Sequence, residues 1–297
     1  MQKNKVLITG IDSFTGKYMR ARLINSGYEV YGTVHNHKPG YENDFKCNLI
    51  YKKNISEIIN KVQPNFVVHL AAISFVPQGT DLNVYETNLF GTLNLLEAIQ
   101  TYASNIAKVI ISSSGAIYGN NSDLIDEYTA ANPINHYGFS KLAMEKMSLI
   151  EYNDTLPLIF VRPFNYTGRY QSKQFLIPKI VEAFRKNETK IRLGNLSVKK
   201  DFSDVRDVVG AYEVLLASQV YDGVYNICSG QSKSIKDILY CLEELSGKSL
   251  EIQVDSSLVR KNEIKHLQCN STKIRNLGWT PEFDIQATLK WMLSTPD

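Results

Sequence analysis

The stretch VLITGIDSFTG at residues 6–16 combines a short apolar run, a glycine turn and the start of a helix. A dinucleotide pyrophosphate needs this order of features, because glycines let backbone N–H groups approach the phosphates and a helix N-terminus supplies positive potential. Gly10 and Gly16 take the outer positions of a TGxxGxxG turn, and Ser13 stands where a middle glycine is usual. An ordinary βα turn can have the same pattern, but its place on the first strand-like run predicts a cofactor site.

Strand-like runs and helical patterns alternate through the first half of the chain. The runs are Lys5–Thr9, Glu29–Val34, Asn65–Leu70, Lys108–Ser113 and Leu158–Arg162. The helical patterns between them are Tyr18–Ser26, Ile55–Val62, Asn83–Tyr102 and Tyr137–Tyr152. This alternation predicts an α/β fold of the Rossmann type, with a doubly wound parallel sheet and helices on both faces.

The rhythm changes after Pro163. Helical patterns at Leu176–Lys186 and Ser234–Ser246 flank one strand-like run, Val224–Cys228. We therefore expect a dinucleotide-binding domain at residues 1–163, with residues 208–228 returning to its sheet. Residues 164–207 and 229–297 are expected to form a smaller C-terminal α/β substrate-binding domain.

Composition excludes several classes of function. The 297 residues carry a formal charge of +3, with 43% hydrophobic and 21% charged residues, and they contain no basic stripe with interleaved aromatics that would predict nucleic-acid binding. The four cysteines include no CxxC pair, which argues against a disulfide framework or a zinc site and suits a reducing compartment. Apolar stretches are too short for a signal peptide or a membrane span, so a cytoplasmic protein is expected.

The end of the second predicted strand bears on the choice of cofactor. An acidic residue there would hydrogen-bond the ribose 2′-hydroxyl of NAD, whereas positive groups accommodate a 2′-phosphate. The strand runs instead into His35, Asn36, His37 and Lys38, without a carboxylate. This favours NADPH, with NADH still possible; the alternative interpretation is a solvated loop.

A candidate catalytic set follows the fourth predicted strand. Tyr137 and Lys141 are four residues apart, so on a helix they share one face. A neighbouring ammonium and a positive nicotinamide ring stabilise a tyrosinate, which makes the phenol a better proton exchanger. Ser114, at the end of a strand, can hydrogen-bond the same substrate oxygen. A YxxxK pair alone is common by chance, but a glycine turn and a Ser-terminated strand in the same α/β pattern favour catalysis.

These stretches together resemble the extended short-chain dehydrogenase/reductase family. Further matching motifs are HLAA at 69–72, TNLFGT at 87–92, RPFN at 162–165 and KDFSDVRD at 200–207. Within the family, FN at 164–165, GNL at 194–196, YNICSG at 225–230 and RKNE at 260–263 resemble the branch of the GDP-mannose 4,6-dehydratases and the GDP-6-deoxy-D-lyxo-hexos-4-ulose reductases. Position 261 is Lys where this branch usually has Pro.

The resemblance implies the residues that bind each ligand. Cofactor contacts are expected at Gly10, Ser13, Phe14, Thr15, Gly16, His35, Asn36, Asn48, Leu49, Leu70, Ala71, Ala72, Ser112, Tyr137, Lys141 and Pro163. Substrate contacts are expected at Ser74, Ser114, Asn165, Lys179, Asn195, Lys200, Arg260 and Glu263. For Ser74 the alternative interpretation is a helix cap. The resemblance also implies a nucleotide-sugar substrate and a homodimer formed through the helices at 83–102 and 137–152.

Departures from the family pattern narrow the reaction. Dehydratases of the family carry an acid and a base directly after the Ser114 position, where this chain has Gly115 and Ala116. The 3,5-epimerase-reductases place a Cys at the second of these positions and a His near the position of Tyr170, so that reaction is disfavoured too. Reduction of a 4-keto sugar and 4-epimerisation remain.

We therefore predict an NAD(P)H-dependent reductase acting on the C4 ketone of a nucleotide-diphospho-4-keto-6-deoxysugar, in deoxysugar and surface-polysaccharide (lipopolysaccharide) biosynthesis. A GDP-linked substrate is favoured, and dTDP, CDP and UDP forms stay open. The alternatives are a nucleotide-sugar 4-epimerase with tightly bound NAD and, more remotely, a non-catalytic NADP-binding regulatory protein, which would typically lack the Tyr or the Lys.

Overall fold

The computed structural model describes residues 3–74, 82–121, 124–259 and 268–294. Its centre is a seven-stranded sheet in the order β11-β7-β5-β4-β1-β2-β3, in which every pair of neighbours is parallel. These strands are β1 Lys5–Thr9, β2 Glu29–Val34, β3 Asp44–Lys46, β4 Phe66–His69, β5 Lys108–Ser112, β7 Leu158–Pro163 and β11 Gly223–Ile227. The predicted doubly wound α/β sheet is confirmed.

Helices cover both faces of this sheet. Successive residues of a strand point to opposite faces, so Val6 and Ile8 of β1 join one apolar core while Leu7 joins the other. The helices of the described residues are α1 Phe14–Asn25, α2 Lys52–Val62, α3 Asn83–Tyr85, α4 Gly91–Tyr102, α5 His136–Tyr152, α6 Leu176–Arg185, α7 Val205–Ala217, α8 Ile235–Ser246, α9 Thr272–Arg275 and α10 Ile285–Leu293.

The single helix predicted at Asn83–Tyr102 is divided. A π-helical segment, Glu86–Phe90, separates α3 from α4. Within this segment the buried Asn88 donates from Nδ2 to the carbonyl of Ile73, and its Oδ1 accepts from the N–H of the same residue. The side chain therefore holds the loop after β4 in place, a contact that a uniform helical pattern does not predict.

The second half of the chain adds three small sheets. Their strands are β6 Leu124–Ile125, β8 Asn165–Thr167, β9 Lys190–Leu193, β10 Lys199–Asp204, β12 Ser232–Ser234, β13 Glu251–Val254 and β14 Gln268–Cys269. They pair as β12-β10-β8, β13-β9 and β14-β6. Helices α6, α8 and α10 contribute to a third apolar core beside them. Helix α7, which the strand and helix patterns missed, packs on α1, and β11 joins the central sheet. The division at residues 163, 207 and 228 stays a proposal.

The cysteine expectation needs a correction. Cys228, directly after β11, and Cys269 of β14 form a disulfide with a Cα–Cα distance of 6.2 Å. The two residues are 41 positions apart in sequence and meet because β14 pairs with β6 beside the end of β11. Cys47 and Cys241 are free. Among the described helices, none has the length and apolar character needed to cross a membrane.

Candidate active site

The glycine turn and the loop after β4 form one backbone cradle. Gly10 has a φ of +67°, and a Cβ at this position would lie 2.9 Å from the Cα of Ala71. A Cβ on Gly16 would collide with the carbonyl oxygen of Gly10. Larger side chains at either position would close the cradle, whereas glycine leaves its backbone open to a pyrophosphate. The residues present therefore fit a dinucleotide cofactor.

Side chains within the turn organise the cradle. Ser13 caps α1 by accepting a hydrogen bond from the N–H of Gly16 at 3.0 Å, so it replaces the usual glycine with a helix cap. Thr15 Oγ1 lies 2.8 Å from the hydroxyl of Tyr166, and the ring of Phe14 stacks on the same tyrosine at 6.1 Å. Thr15 and Phe14 thus connect the cradle to β8.

A buried histidine connects the ends of β1 and β4 to α4. His69 hydrogen-bonds Thr9 through Nδ1 at 2.6 Å and Thr92 through Nε2 at 2.8 Å. Burial, together with the charge of Lys141, lowers the pKa of His69 to about 3, so the ring stays neutral. Thr9 Oγ1 also accepts from the N–H of Ala71 at 3.2 Å. This network fixes the strand ends from which the cradle is built.

The predicted catalytic residues come together at the end of β5. Helix α5 starts at His136, and Asn135 caps it by accepting from the N–H of Gly138 at 2.9 Å. This start puts Tyr137 in the first turn and Lys141 one turn later. The hydroxyl of Tyr137 hydrogen-bonds Ser114, which also accepts from the N–H of Ala116 at 3.1 Å.

Burial controls the titration of Tyr137. Desolvation raises its pKa to about 12 against the opposing hydrogen bond with Ser114, and the nearby phenol of Tyr166 adds to the increase. The pKa of Tyr137 therefore lies above its ordinary value, and not below it as the sequence predicted from a neighbouring ammonium. At neutral pH the phenol is protonated, which is the form that a proton donor needs.

Lys141 is held at the base of the site. Its ammonium donates to the carbonyl of Ser112 at 2.6 Å, and the Ser112 side chain hydrogen-bonds Tyr212. Burial lowers the pKa of Lys141 to about 8, against the opposing charge of Glu145. Ser112 thus positions Lys141, and its predicted contact with cofactor stays a prediction.

The two residues after Ser114 are tightly enclosed. A Cβ on Gly115 would lie 2.9 Å from Cδ2 of Phe164. That ring is buried and stacks on Tyr118 at 6.0 Å. Position 115 therefore has no room for a carboxylate, and the methyl group of Ala116 exchanges no proton. Among the described residues around Ser114, Tyr137 is thus the proton donor, with the Ser114 hydroxyl as its partner.

The other predicted cofactor residues lie around the cradle. Leu70 donates its N–H to the carbonyl of Thr9, and Ala72 follows Ala71 in the same loop. His35 and Asn36 are exposed beyond β2, Asn48 and the buried Leu49 follow β3, and Pro163 ends β7. Their roles towards a cofactor remain predictions.

Four of the predicted substrate residues fall into two groups in the second half of the chain. Asn165 of β8 is paired with Phe202 of β10, the strand that carries Lys200. Lys179 of α6 donates to the carbonyl of Arg192 at 2.8 Å, close to the loop that holds Asn195. The exposed Ser74 lies in an irregular segment after β4. Arg260 and Glu263 lie outside the described residues.

Two tyrosines were missed by the sequence reasoning. Tyr166 contacts Thr15, and its phenol contributes to the raised pKa of Tyr137. Tyr212 of α7 hydrogen-bonds Ser112 and is fully buried. Tyr166 lies on a strand and Tyr212 on a helix, and the pattern within one element does not indicate a partner on another. Only the fold therefore reveals these contacts.

The fold and site define a short-chain dehydrogenase/reductase of the extended type, with its Ser, Tyr and Lys beside a dinucleotide cradle. Residues 7–292 match the family model described as GDP-mannose 4,6 dehydratase, and the chain belongs to that family.

Individual relatives carry out different reactions. GDP-6-deoxy-D-talose 4-dehydrogenase of Aggregatibacter actinomycetemcomitans is 33% identical, over 92% of this chain and 90% of that protein. GDP-6-deoxy-D-mannose reductase of Pseudomonas aeruginosa is 28% identical, over 98% and 96%. Among solved structures, the RMD protein of P. aeruginosa complexed with NADPH has a TM-score of 0.85 at 28% identity, covering 98% of this chain and 97% of that one. UDP-glucose 4-epimerase of Thermus thermophilus complexed with NAD has a TM-score of 0.88 at 25% identity, covering 97% of each chain.

Proposed function

We propose that this protein is an NAD(P)H-dependent oxidoreductase that reduces the C4 ketone of a nucleotide-diphospho-4-keto-6-deoxysugar. One observation carries the proposal: Ser114 and Tyr137 share a hydrogen bond beside Gly115 and Ala116, which offer no second acid or base. Ketone reduction needs one proton donor and one group that polarises the carbonyl. Dehydration needs a further acid and base at this place.

The residues have distinct roles in this reaction. A bound reduced nicotinamide would supply the hydride to C4. Ser114 donates a hydrogen bond to the carbonyl oxygen, and Tyr137 gives its proton to the same oxygen as negative charge develops there. The ammonium of Lys141 stabilises the phenolate that remains. One hydride and one proton convert the ketone to a secondary alcohol, so the step balances.

The substrate class is supported by the relatives and by basic side chains in the second half of the chain. Two relatives are named for GDP-6-deoxysugars, which favours a GDP-linked substrate over dTDP, CDP or UDP forms. Lys179, Lys200 and Arg260 are the side chains proposed to grip the diphosphate, since cations pair with its oxygens. A role in surface-polysaccharide biosynthesis, a cytoplasmic location and a homodimer remain predictions.

NADPH is the proposed hydride donor, with NADH as the alternative. His35, His37 and Lys38 follow β2 without an acid, and the neighbouring P. aeruginosa structure is a complex with NADPH. Positive groups at this position favour a 2′-phosphate.

The in-class alternative is a 4-epimerase, because the same Ser, Tyr and Lys can oxidise and re-reduce C4. Incubation with NADPH and a panel of GDP-, dTDP-, CDP- and UDP-4-keto-6-deoxysugars distinguishes the two. A reductase oxidises one NADPH for each sugar reduced, measured by nicotinamide absorbance and sugar chromatography. Interconversion of nucleotide-sugar C4 epimers with no net cofactor change would identify an epimerase instead.

Tyr137→Phe tests the mechanism. We expect turnover to fall by about 10²–10⁴-fold, because the proton donor is removed. Tyr152→Phe is the matched control, since Tyr152 ends the same helix away from the site. Undiminished turnover of the Tyr137 variant would refute the assigned role.

A further inference from the structure

A carboxylate of the glycine turn lies at the end of β2. Oδ2 of Asp12 is 2.6 Å from Nδ1 of His37, three residues beyond the last residue of that strand. The sequence places no acid at this strand end, but the tertiary structure brings one there from residue 12.

Backbone contacts hold the turn in this position. The N–H of Ile11 donates to the carbonyl of Thr33 at 3.1 Å, and the N–H of Gly10 donates to Thr33 Oγ1 at 3.3 Å. The side chain of Ile11 packs where a Cβ on Gly32 would lie. Because two residues of β2 and two of the turn fit together in this way, Asp12 has a defined place over the end of β2.

Asp12 is accessible to a ligand, whereas a second carboxylate nearby is not. The Asp12 side chain is 25% exposed and that of His37 is 77% exposed. Asp44 of β3 is 3% exposed and forms a buried ion pair with Arg20. Asp44 therefore stabilises the fold through its ion pair, and Asp12 is the carboxylate that is exposed to a bound ribose.

We propose that Asp12 sets the choice between NADH and NADPH. Its carboxylate accepts a hydrogen bond from the ribose 2′-hydroxyl of NADH and repels the 2′-phosphate of NADPH. His35, His37 and Lys38 attract the same phosphate, so the two effects oppose each other and both cofactors bind. The affinity for NADPH is consequently only slightly higher than that for NADH, and Asp12 is the residue that maintains the binding of NADH.

This inference rests on the proposed function only in requiring a nicotinamide dinucleotide in the cradle. Its test needs no sugar: the dissociation constants of NADH and NADPH are measured by cofactor fluorescence for the purified protein and for Asp12→Asn. We expect the variant to shift the ratio of the two constants about tenfold towards NADPH, since a charged hydrogen bond is lost and a repulsion removed. The shift shrinks at high salt because screening weakens the repulsion.

Two variants make the result specific. Glu42→Gln removes an exposed carboxylate from the loop between β2 and β3 and is expected to leave the ratio unchanged. His37→Gln removes the imidazole that hydrogen-bonds Asp12 and is expected to move the ratio towards NADH. An unchanged ratio in Asp12→Asn, or a shift towards NADH, would overturn the proposal, and retained NADH binding shows that the variant folds. Because no sugar is present in this measurement, a failure of the proposed ketone reduction would leave the two dissociation constants unaffected, and the two outcomes are distinguishable.

Discussion

The ring of Phe164 occupies the space that a side chain at position 115 would need, with Cδ2 2.9 Å from an ideal Cβ on Gly115. In the sequence, Gly115 takes one of the two positions after Ser114 where dehydratases of the family carry an acid and a base. In the structure it is a packing requirement as well, because Phe164 is buried between this turn and Tyr118. The packing around Ser114 thus leaves no space for the acid that dehydration would need, in line with the proposed reductase, and an acid at position 115 would require a change at Phe164.

A packing experiment follows from this contact. Gly115→Ala is expected to lower the free energy of unfolding by about 1–3 kcal/mol, because the added methyl group overpacks the site. Phe164→Leu in the same chain should recover part of this loss, so the double variant is less destabilised than the sum of the single variants. Denaturant unfolding measures all three. Gly40→Ala is the control, since its Cβ would meet only Asp44, at 4.0 Å. If the losses of unfolding free energy in Gly115→Ala and Phe164→Leu were additive in the double variant, they would contradict the proposed contact.

The pH dependence of the reaction should report Lys141. Its pKa is lowered to about 8, so the ammonium is present below this pH and is lost above it. We expect kcat/KM for ketone reduction to decrease as pH rises through about 8, while Tyr137, with a pKa of about 12, remains protonated. The measurement is a profile from pH 6 to 10. Lys141→Met should be slow at every pH and lack this decrease. If kcat/KM of the variant still fell above about pH 8, the decrease would belong to another group.

His69 should make the fold sensitive to mild acid. Its folded pKa is about 3 against an ordinary value of 6.5, so between these values the unfolded chain binds a proton that the folded chain does not. The contribution of the neutral His69 ring to the free energy of unfolding is therefore fully present above pH 6.5. It decreases as pH falls towards 3, by up to about 1.4 kcal/mol per pH unit. Unfolding free energies at pH 7 and 5 measure the slope. His69→Gln should flatten it in this interval, and an equal slope in the variant would exclude His69 as the source.

The disulfide predicts a defined count of thiols. Unfolded under non-reducing conditions, the protein should expose two reactive thiols, Cys47 and Cys241, and four after reduction. Cys269→Ser should lower the free energy of unfolding by about 2–4 kcal/mol, because the unfolded chain is no longer cross-linked. Cys241→Ser is the matched control, with little change expected. Four thiols before reduction would show that the purified protein does not contain the bond.

Several features of this protein could be predicted from local sequence. The apolar run before Gly10 predicts β1 with its observed ends, and the Tyr137–Lys141 spacing predicts two side chains on one face of α5. Both depend on short-range periodicity and on the conformational freedom of glycine. The departures at Gly115 and Ala116 are equally visible in the sequence, because the types of side chain alone show whether a proton can be exchanged.

Only the tertiary structure decided which distant residues meet. Asp12 reaches His37 because the turn after β1 lies across the end of β2, and Cys228 reaches Cys269 because β14 pairs with β6. Burial likewise determines that Tyr137 is protonated and that Lys141 titrates about pH 8. Such contacts and desolvation depend on how separate elements pack, and a pattern within one element carries no information about its neighbours. The sequence by itself therefore determined the proposed reacting groups, while packing decided their protonation, the space around them and the charges near the proposed cofactor site.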